Sequence, residues 1–103
     1  MITWVRTANM HDGKGQDAFA WAVKVAHYVN GKFSGANVQV VRNVGGPVWQ
    51  VHWVANYESL AAFEEIMKTL EADSGYLELL GEARDQKLFI SNSIVDSLYE
   101  AIS

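Results

Sequence analysis

Hydrophobic positions along the chain alternate between strand-like runs and helix-like spacing, and these patterns predict the elements of the fold. Residues 2–10 are rich in β-branched and aromatic side chains and end at His11-Asp12-Gly13, which is typical of a strand followed by a turn. From about Gly15 to Val29, apolar residues recur every three or four positions, which predicts an amphipathic helix closing near Asn30-Gly31. The chain is therefore expected to begin with a strand and a helix.

The middle of the chain predicts a β-hairpin followed by a second helix. Strand-like runs at 38–44 and 48–55 are joined by Gly45-Gly46-Pro47, a sequence that favours a turn. Apolar residues at helical spacing then predict an amphipathic helix over 60–70.

The last third predicts one more helical segment and one more strand. Helical spacing resumes over 76–84 after a break at Asp73-Ser74-Gly75. Residues 88–95 are predicted as the fourth strand, and the tail 96–102 as either a short helix or an added edge strand.

The order of these elements, β-α-β-β-α-β, predicts one ferredoxin-like α+β domain over residues 1–103, with a four-stranded antiparallel sheet and both helices on one face. Large apolar residues occur on both alternating sides of every predicted strand, so we expect the second face of the sheet to be covered too. The pairs that indicate this are Trp4 and Val5, Val40 and Val41, Trp53 and Val54, and Phe89 and Ile90. A second copy presenting the same face is the simplest cover, which predicts a homodimer.

Composition and charge narrow the class of protein. Half of the 103 residues are hydrophobic and 19% are charged, which indicates a packed globular chain. No apolar run approaches the roughly 20 residues that a membrane span needs, and the start lacks the layout of a secretory signal. The absence of cysteine suits a reducing cytoplasm. The net charge of −4 offers no basic face for nucleic acid, so we expect neither a membrane nor a nucleic-acid partner.

The sequence predicts no metal and no cofactor. Thiolate zinc sites need cysteine, and the three histidines do not fall at ligand spacing. Gly13-Lys14-Gly15 precedes a helix but lacks the full pattern of a phosphate-binding loop.

Two short motifs resemble a known group of proteins. The turn Met10-His11-Asp12-Gly13-Lys14 is similar to Val-Lys-Pro-Gly-Lys in the dimeric α+β barrel superfamily, which includes antibiotic-biosynthesis monooxygenases and NIPSNAP-like proteins. Residues 56–63, which run from Asn56 to Phe63, resemble that superfamily's Trp-Glu-Ser followed by a helix with an early Ala-Phe pair. The resemblance implies two subunits packed sheet against sheet into a barrel, with a pocket in each subunit between sheet and helices.

The resemblance implies several possible activities, but this chain departs from their signatures. Some members oxidise aromatic substrates without metal or flavin and others degrade haem. The haem-degrading positions are here Arg6, Ile66 and Tyr76, and the monooxygenase Trp and Asn positions are Tyr57 and Trp53. All of them differ from the residues that the resemblance would require.

The candidate site residues are polar groups within predicted strands and aromatic or apolar side chains that could form the wall of a pocket. Arg6, His52 and Tyr57 are the candidates for orienting or catalytic groups. The candidate pocket residues are Trp4, Trp49, Trp53, Ile66 and Tyr76. Structural roles remain open for all of them, namely an ion pair for Arg6, a hydrogen-bonded core or interface histidine for His52, and ordinary packing for the aromatic rings.

Two functions therefore remain open. The first expectation is a small homodimeric α+β barrel protein without a catalytic signature, whose buried polar groups serve shape and subunit pairing. The alternative is a cofactor-independent monooxygenase-like protein or one that binds a small apolar or aromatic ligand. A solidly packed space between sheet and helices would exclude this alternative, whereas a pocket would support it.

Overall fold

A four-stranded antiparallel sheet forms the centre of the computed structural model, which describes all 103 residues. The strands are β1 (Ile2–Asn9), β2 (Gln39–Arg42), β3 (Gln50–Tyr57) and β4 (Val95–Glu100), in the spatial order β2-β3-β1-β4. The helices are α1 (Gly15–Lys32), α2 (Leu60–Glu71) and α3 (Ser74–Asp85). The predicted ferredoxin-like α+β class is confirmed, with the second helical region divided in two.

The fourth strand lies later in the chain than predicted. Within residues 88–95, Phe89 forms only an isolated bridge, with Met10, and Ser91–Ser93 form a turn of 3₁₀ helix. Leu88 is fully buried, so the run of apolar residues there reflects core packing rather than a strand. The prediction of a strand over 88–95 is wrong, and the tail forms the edge strand that was its alternative.

The hydrophobic core lies between the sheet and the helices. On β1, Trp4 and Ala8 stand opposite Ala55 and Val51 of β3, and all four are buried. Helix α1 buries a continuous stripe against this face, comprising Ala18, Trp21, Ala22, Val25, Ala26 and Val29. None of the three helices is both long enough and apolar enough to cross a bilayer.

The opposite face of the sheet, here called the outer face, mixes apolar and polar side chains. Val5, Val41 and Val54 lie on it by register, as predicted, but they alternate with hydroxyl, amide and imidazole groups. Several of these polar groups bond to one another, as where Thr3 Oγ1 donates to Asn56 Oδ1 over 2.7 Å. The outer face is therefore less apolar than the sequence pattern indicated.

A shared carboxylate marks the junction between α2 and α3. Asp73 caps α3, since its side chain accepts from the backbone N–H of Tyr76. The same side chain accepts from Tyr28 and Lys32 on α1. This junction holds α3 beside α1, and α3 forms one wall of the space described next.

Candidate functional site

An apolar cavity of about 280 Å³ lies between the inner face of the sheet and the helices. Of its 17 lining residues, 16 are hydrophobic and one is charged. The lining consists of Trp4, Arg6, Ala8, Trp21, Val25, Ala26, Val29, Val38, Trp53, Tyr57, Met67, Leu70, Tyr76, Leu80, Ala83, Phe89 and Ile94. The space between sheet and helices is thus not solidly packed.

Small side chains leave this space open. Ala8 on β1, Ala26 on α1 and Ala83 on α3 all line the cavity, and all three are buried. Protein interiors are normally packed as densely as organic crystals, so methyl groups at three buried wall positions leave volume that larger side chains would fill.

Three aromatic rings form one wall of the cavity. Trp21, Trp53 and Phe89 meet edge to face, with ring centroids 5.5–6.0 Å apart. The indole N–H of Trp21 donates to the carbonyl of Leu79 over 2.9 Å, and that of Trp53 donates to the carbonyl of Ala22 over 3.2 Å. Both indole donors are satisfied by the backbone, so this wall is chemically apolar.

The single charged residue of the lining forms a two-bond ion pair. Arg6 and Asp96 are cross-strand neighbours on β1 and β4. Nε of Arg6 donates to Oδ1 of Asp96 over 2.7 Å, and Nη2 donates to Oδ2 over 2.9 Å. Their side chains are 24% and 37% exposed, so the pair lies at an edge of the cavity that solvent reaches.

The ion pair stabilises both charges. The hydrogen bonds to Asp96 raise the pKa of Arg6 against the opposing effect of burial. Burial disfavours the ionised form of Asp96, but the hydrogen bonds and positive charge of Arg6 outweigh it and lower the pKa of that carboxyl. The buried indole N–H of Trp4 makes no hydrogen bond of normal geometry, although it is close enough to contribute to this lowering.

Two tyrosine hydroxyls accompany Arg6 on the lining. Nη1 of Arg6 makes a long contact of 3.5 Å with the hydroxyl oxygen of Tyr76, which donates to no acceptor in the chain. The hydroxyl of Tyr57 makes no hydrogen bond with the protein, and burial raises its pKa, so this phenol keeps its proton at neutral pH.

His52 lies on the outer face rather than in the cavity. It stands opposite Thr7, whose Oγ1 is 2.7 Å from Nδ1 of the imidazole. Nε2 is 2.7 Å from Oδ1 of Asn43, and since an amide oxygen only accepts, Nε2 carries a proton in this pair. Both ring nitrogens are thus paired within the chain, away from the cavity.

The structure brings together some of the candidate residues and separates others. Arg6 and Tyr57 lie on the cavity lining, as do the candidate pocket residues Trp4, Trp53 and Tyr76. Two candidate pocket residues lie elsewhere, because Trp49 precedes β3 and is 56% exposed, and Ile66 lines a separate open groove.

Sequence reasoning did not identify Asp96, Trp21 or Phe89 as parts of the site. Trp21, Val25 and Tyr28 form a second apolar stripe along the helix predicted from Gly15 to Val29, and such a stripe indicates an additional contact surface. Asp96 lies 90 positions from Arg6, and no local pattern connects the two residues.

Comparisons with known proteins show the fold. No protein family matches the chain in sequence, and no curated protein is significantly similar to it. An uncharacterized NIPSNAP domain protein from Burkholderia xenovorans superposes with a TM-score of 0.81 at 12% identity, covering 100% of this chain and 96% of that one.

Two further solved structures are similar over nearly the whole chain. SnoaB, a cofactor-independent oxygenase from Streptomyces nogalater, has a TM-score of 0.71 at 16% identity, with 99% and 93% of the two chains covered. An antibiotic biosynthesis monooxygenase-like structure from Deinococcus radiodurans has a TM-score of 0.72 at 14% identity, with 100% and 94% covered. The chain therefore has the fold of these two groups, and the resemblance predicted from its motifs is confirmed at that level.

Proposed function

We propose that this chain binds a small apolar or aromatic molecule in the cavity between its sheet and helices. The observation that carries the proposal is a space of about 280 Å³ whose lining is hydrophobic at 16 of 17 positions. An engineered apolar cavity of about 150 Å³ stays dry and binds benzene. The cavity here is nearly twice that size, which suits a molecule with two fused rings or an aliphatic group of similar bulk.

The energetic cost of an unfilled cavity supports a binding role. Cavities in protein cores destabilise roughly in proportion to their volume, so an apolar space of about 280 Å³ that stays unfilled lowers the stability of the chain. A small domain has a total stability of only about 5–15 kcal/mol. A bound molecule would recover part of this cost by burying apolar surface on both sides.

Binding is favoured over oxygenase chemistry by the groups around the cavity. SnoaB is a cofactor-independent oxygenase, but its similarity to this chain is one of fold. The carboxylate of Asp96 is held by Arg6, and His52 lies on the other face of the sheet. The lining therefore presents no unpaired base that could remove a proton from a substrate.

We also propose that two copies associate through their outer faces. Val41, Val95 and Tyr99 lie on this face by register and are each more than 40% exposed. The polar groups of Thr3, Thr7, His52, Asn43 and Asn56 are already paired within the chain. Because they keep these partners, covering them costs less than burying unpaired polar groups would.

Titration with N-phenyl-1-naphthylamine, a neutral dye whose fluorescence rises in apolar surroundings, tests the binding proposal. We expect one saturable site per chain. Ala26→Leu places extra volume at a buried wall position and should weaken binding at least about tenfold, whereas Ala20→Leu, on the exposed side of α1, should leave it unchanged. The absence of saturable binding, or equal weakening by both variants, would contradict the proposal.

A further inference from the structure

We infer that the ligand is uncharged and carries a hydrogen-bond acceptor such as a carbonyl oxygen, and that Asp96 disfavours carboxylate ligands at this site. The inference rests on the proposed binding function and specifies the chemical class of the molecule. It follows from which donors and acceptors on the lining are occupied and which are free.

The donors beside the ion pair are incompletely used. Nε and Nη2 of Arg6 donate to Asp96, which leaves Nη1 with only the 3.5 Å contact to Tyr76. A guanidinium has no acceptor atom, so Nη1 can only donate. The hydroxyl of Tyr76, if it accepts from Nη1, still has its own proton to donate.

These two donors lie next to each other and suit one acceptor atom. A carbonyl oxygen has two lone pairs and can accept from two donors at once. With Nη1 and the Tyr76 oxygen 3.5 Å apart, a single oxygen can lie within hydrogen-bond distance of both. The rest of the ligand would then extend along the apolar wall of Trp21, Trp53 and Phe89.

The strongest acceptor beside the cavity is already engaged. Both carboxylate oxygens of Asp96 already accept from Arg6. The indole groups of Trp21 and Trp53 can only donate, and both donate to backbone carbonyls. The free hydroxyls of Tyr57 and Tyr76 can donate or accept, whereas Nη1 of Arg6 can only donate and carries a positive charge, so the group that this site favours is an acceptor.

The charge of the ion pair decides the charge of the ligand. Asp96 neutralises Arg6, so the edge of the cavity has no net charge to balance an anion. A carboxylate placed beside Nη1 would lie near Asp96 and lose hydration in an apolar space. A cation would find no unpaired carboxylate on the lining. An uncharged ligand avoids each of these costs.

Three naphthalene derivatives of nearly equal size test the inference. 2-Acetylnaphthalene has a neutral acceptor, 2-ethylnaphthalene has none, and 2-naphthoate carries a charged one. Each competes with N-phenyl-1-naphthylamine for the site. For the wild-type chain we expect the ketone to bind about tenfold more tightly than the hydrocarbon, the effect of about one well-formed hydrogen bond, and more tightly than the carboxylate.

Two variants separate the parts of the site. Tyr76→Phe should reduce the advantage of the ketone over the hydrocarbon and leave binding of 2-ethylnaphthalene unchanged. Asp96→Asn releases the charge of Arg6 and should improve binding of 2-naphthoate at least about tenfold, whereas Asp85→Asn, at the exposed end of α3, should not.

The outcomes distinguish this inference from the proposed function. If all three naphthalenes bind the wild-type chain equally, or the carboxylate binds best, the inference is overturned while apolar binding stands. If the dye and the hydrocarbon both fail to bind, the proposed function itself fails. Should Asp96→Asn not fold, the response of Tyr76→Phe to the ketone and the hydrocarbon still decides the inference.

Discussion

At the scale of single residues, Asp73 is the most heavily hydrogen-bonded carboxylate in the molecule. It accepts from Nζ of Lys32 over 2.6 Å, from the hydroxyl of Tyr28 over 2.5 Å and from the backbone N–H of Tyr76 over 2.9 Å. The hydrogen bond from Lys32, followed by those from Tyr28 and Tyr76, lowers the pKa of Asp73 to about 2. One side chain thus joins the end of α1 to the start of α3.

This lowered pKa predicts how stability depends on pH. In the unfolded chain Asp73 titrates near 3.8, so its contribution to folding is fully present above about pH 4 and is lost as pH falls toward 2. Thermal unfolding of Asp73→Asn should show a lower Tm than wild type at pH 7, and the difference should shrink between pH 4 and pH 2. Asp12→Asn, in an exposed turn, serves as the control. An unchanged difference across this range would contradict the assigned role.

At the scale of elements, the packing of α3 on α1 depends on a glycine. Gly75 lies in the first turn of α3, and a Cβ atom at this position would overlap the hydroxyl of Tyr28. Gly81, in the same helix, has room for a methyl group, with its nearest neighbour at ordinary contact distance. The two glycines therefore occupy the same helix in opposite steric situations.

The two glycines predict opposite effects of replacement by alanine. Replacing a helical glycine by alanine ordinarily stabilises by about 0.5–1 kcal/mol, which we expect for Gly81→Ala. Gly75→Ala should instead lower the free energy of unfolding, because it displaces Tyr28 from Asp73. Urea denaturation measures both. Equal stabilisation by the two variants would show that Tyr28 moves aside without cost.

The elements also show how far the sequence could predict the structure. Periodicity identified α1 and β3 because each buries an apolar stripe that repeats at its own period. It also identified β2 and the two later helices, although these elements bury fewer side chains. It misplaced β4 because the apolar run at Leu88 is buried by packing, while Val95–Glu100 pairs with β1 despite being mostly exposed.

The site was predictable only where a residue was unusual by itself. Arg6 was predicted because it is a charged residue in the middle of a strand, and Trp4, Trp53 and Tyr76 because they are aromatic. All four line the cavity. Asp96 was missed because its role depends on cross-strand register. His52 was equally unusual, but strand register determines which face of the sheet it lies on, and its residue type could not predict that face.

At the scale of the whole molecule, the outer face makes a prediction about assembly. Val54 lies on this face, half-buried within the single chain. Static light scattering should give a mass near twice the chain's 11.5 kDa for wild type, and near 11.5 kDa for Val54→Glu. Val23→Glu changes an exposed valine on α1 and should remain dimeric. A monomeric wild type at concentrations far above micromolar would overturn the proposed pairing.

Replacing His52 tests the association of two copies separately from ligand binding. Since its imidazole bonds to Thr7 and Asn43 on the outer face, His52→Gln should weaken the association of two copies without changing the affinity for N-phenyl-1-naphthylamine. Measuring both quantities on one preparation makes the comparison direct. A loss of dye affinity in a variant that stays dimeric would show that the two faces are coupled.

The pairing of Arg6 with Asp96 also has a consequence for the order of events during synthesis. Asp96 is translated 90 positions after Arg6. While the nascent chain grows, the guanidinium has no carboxylate from β4 to hold it, although the first strand, α1 and the hairpin are already available to fold. Selectivity against charged ligands would therefore arise only after β4 has been translated, later than much of the apolar core that surrounds the site.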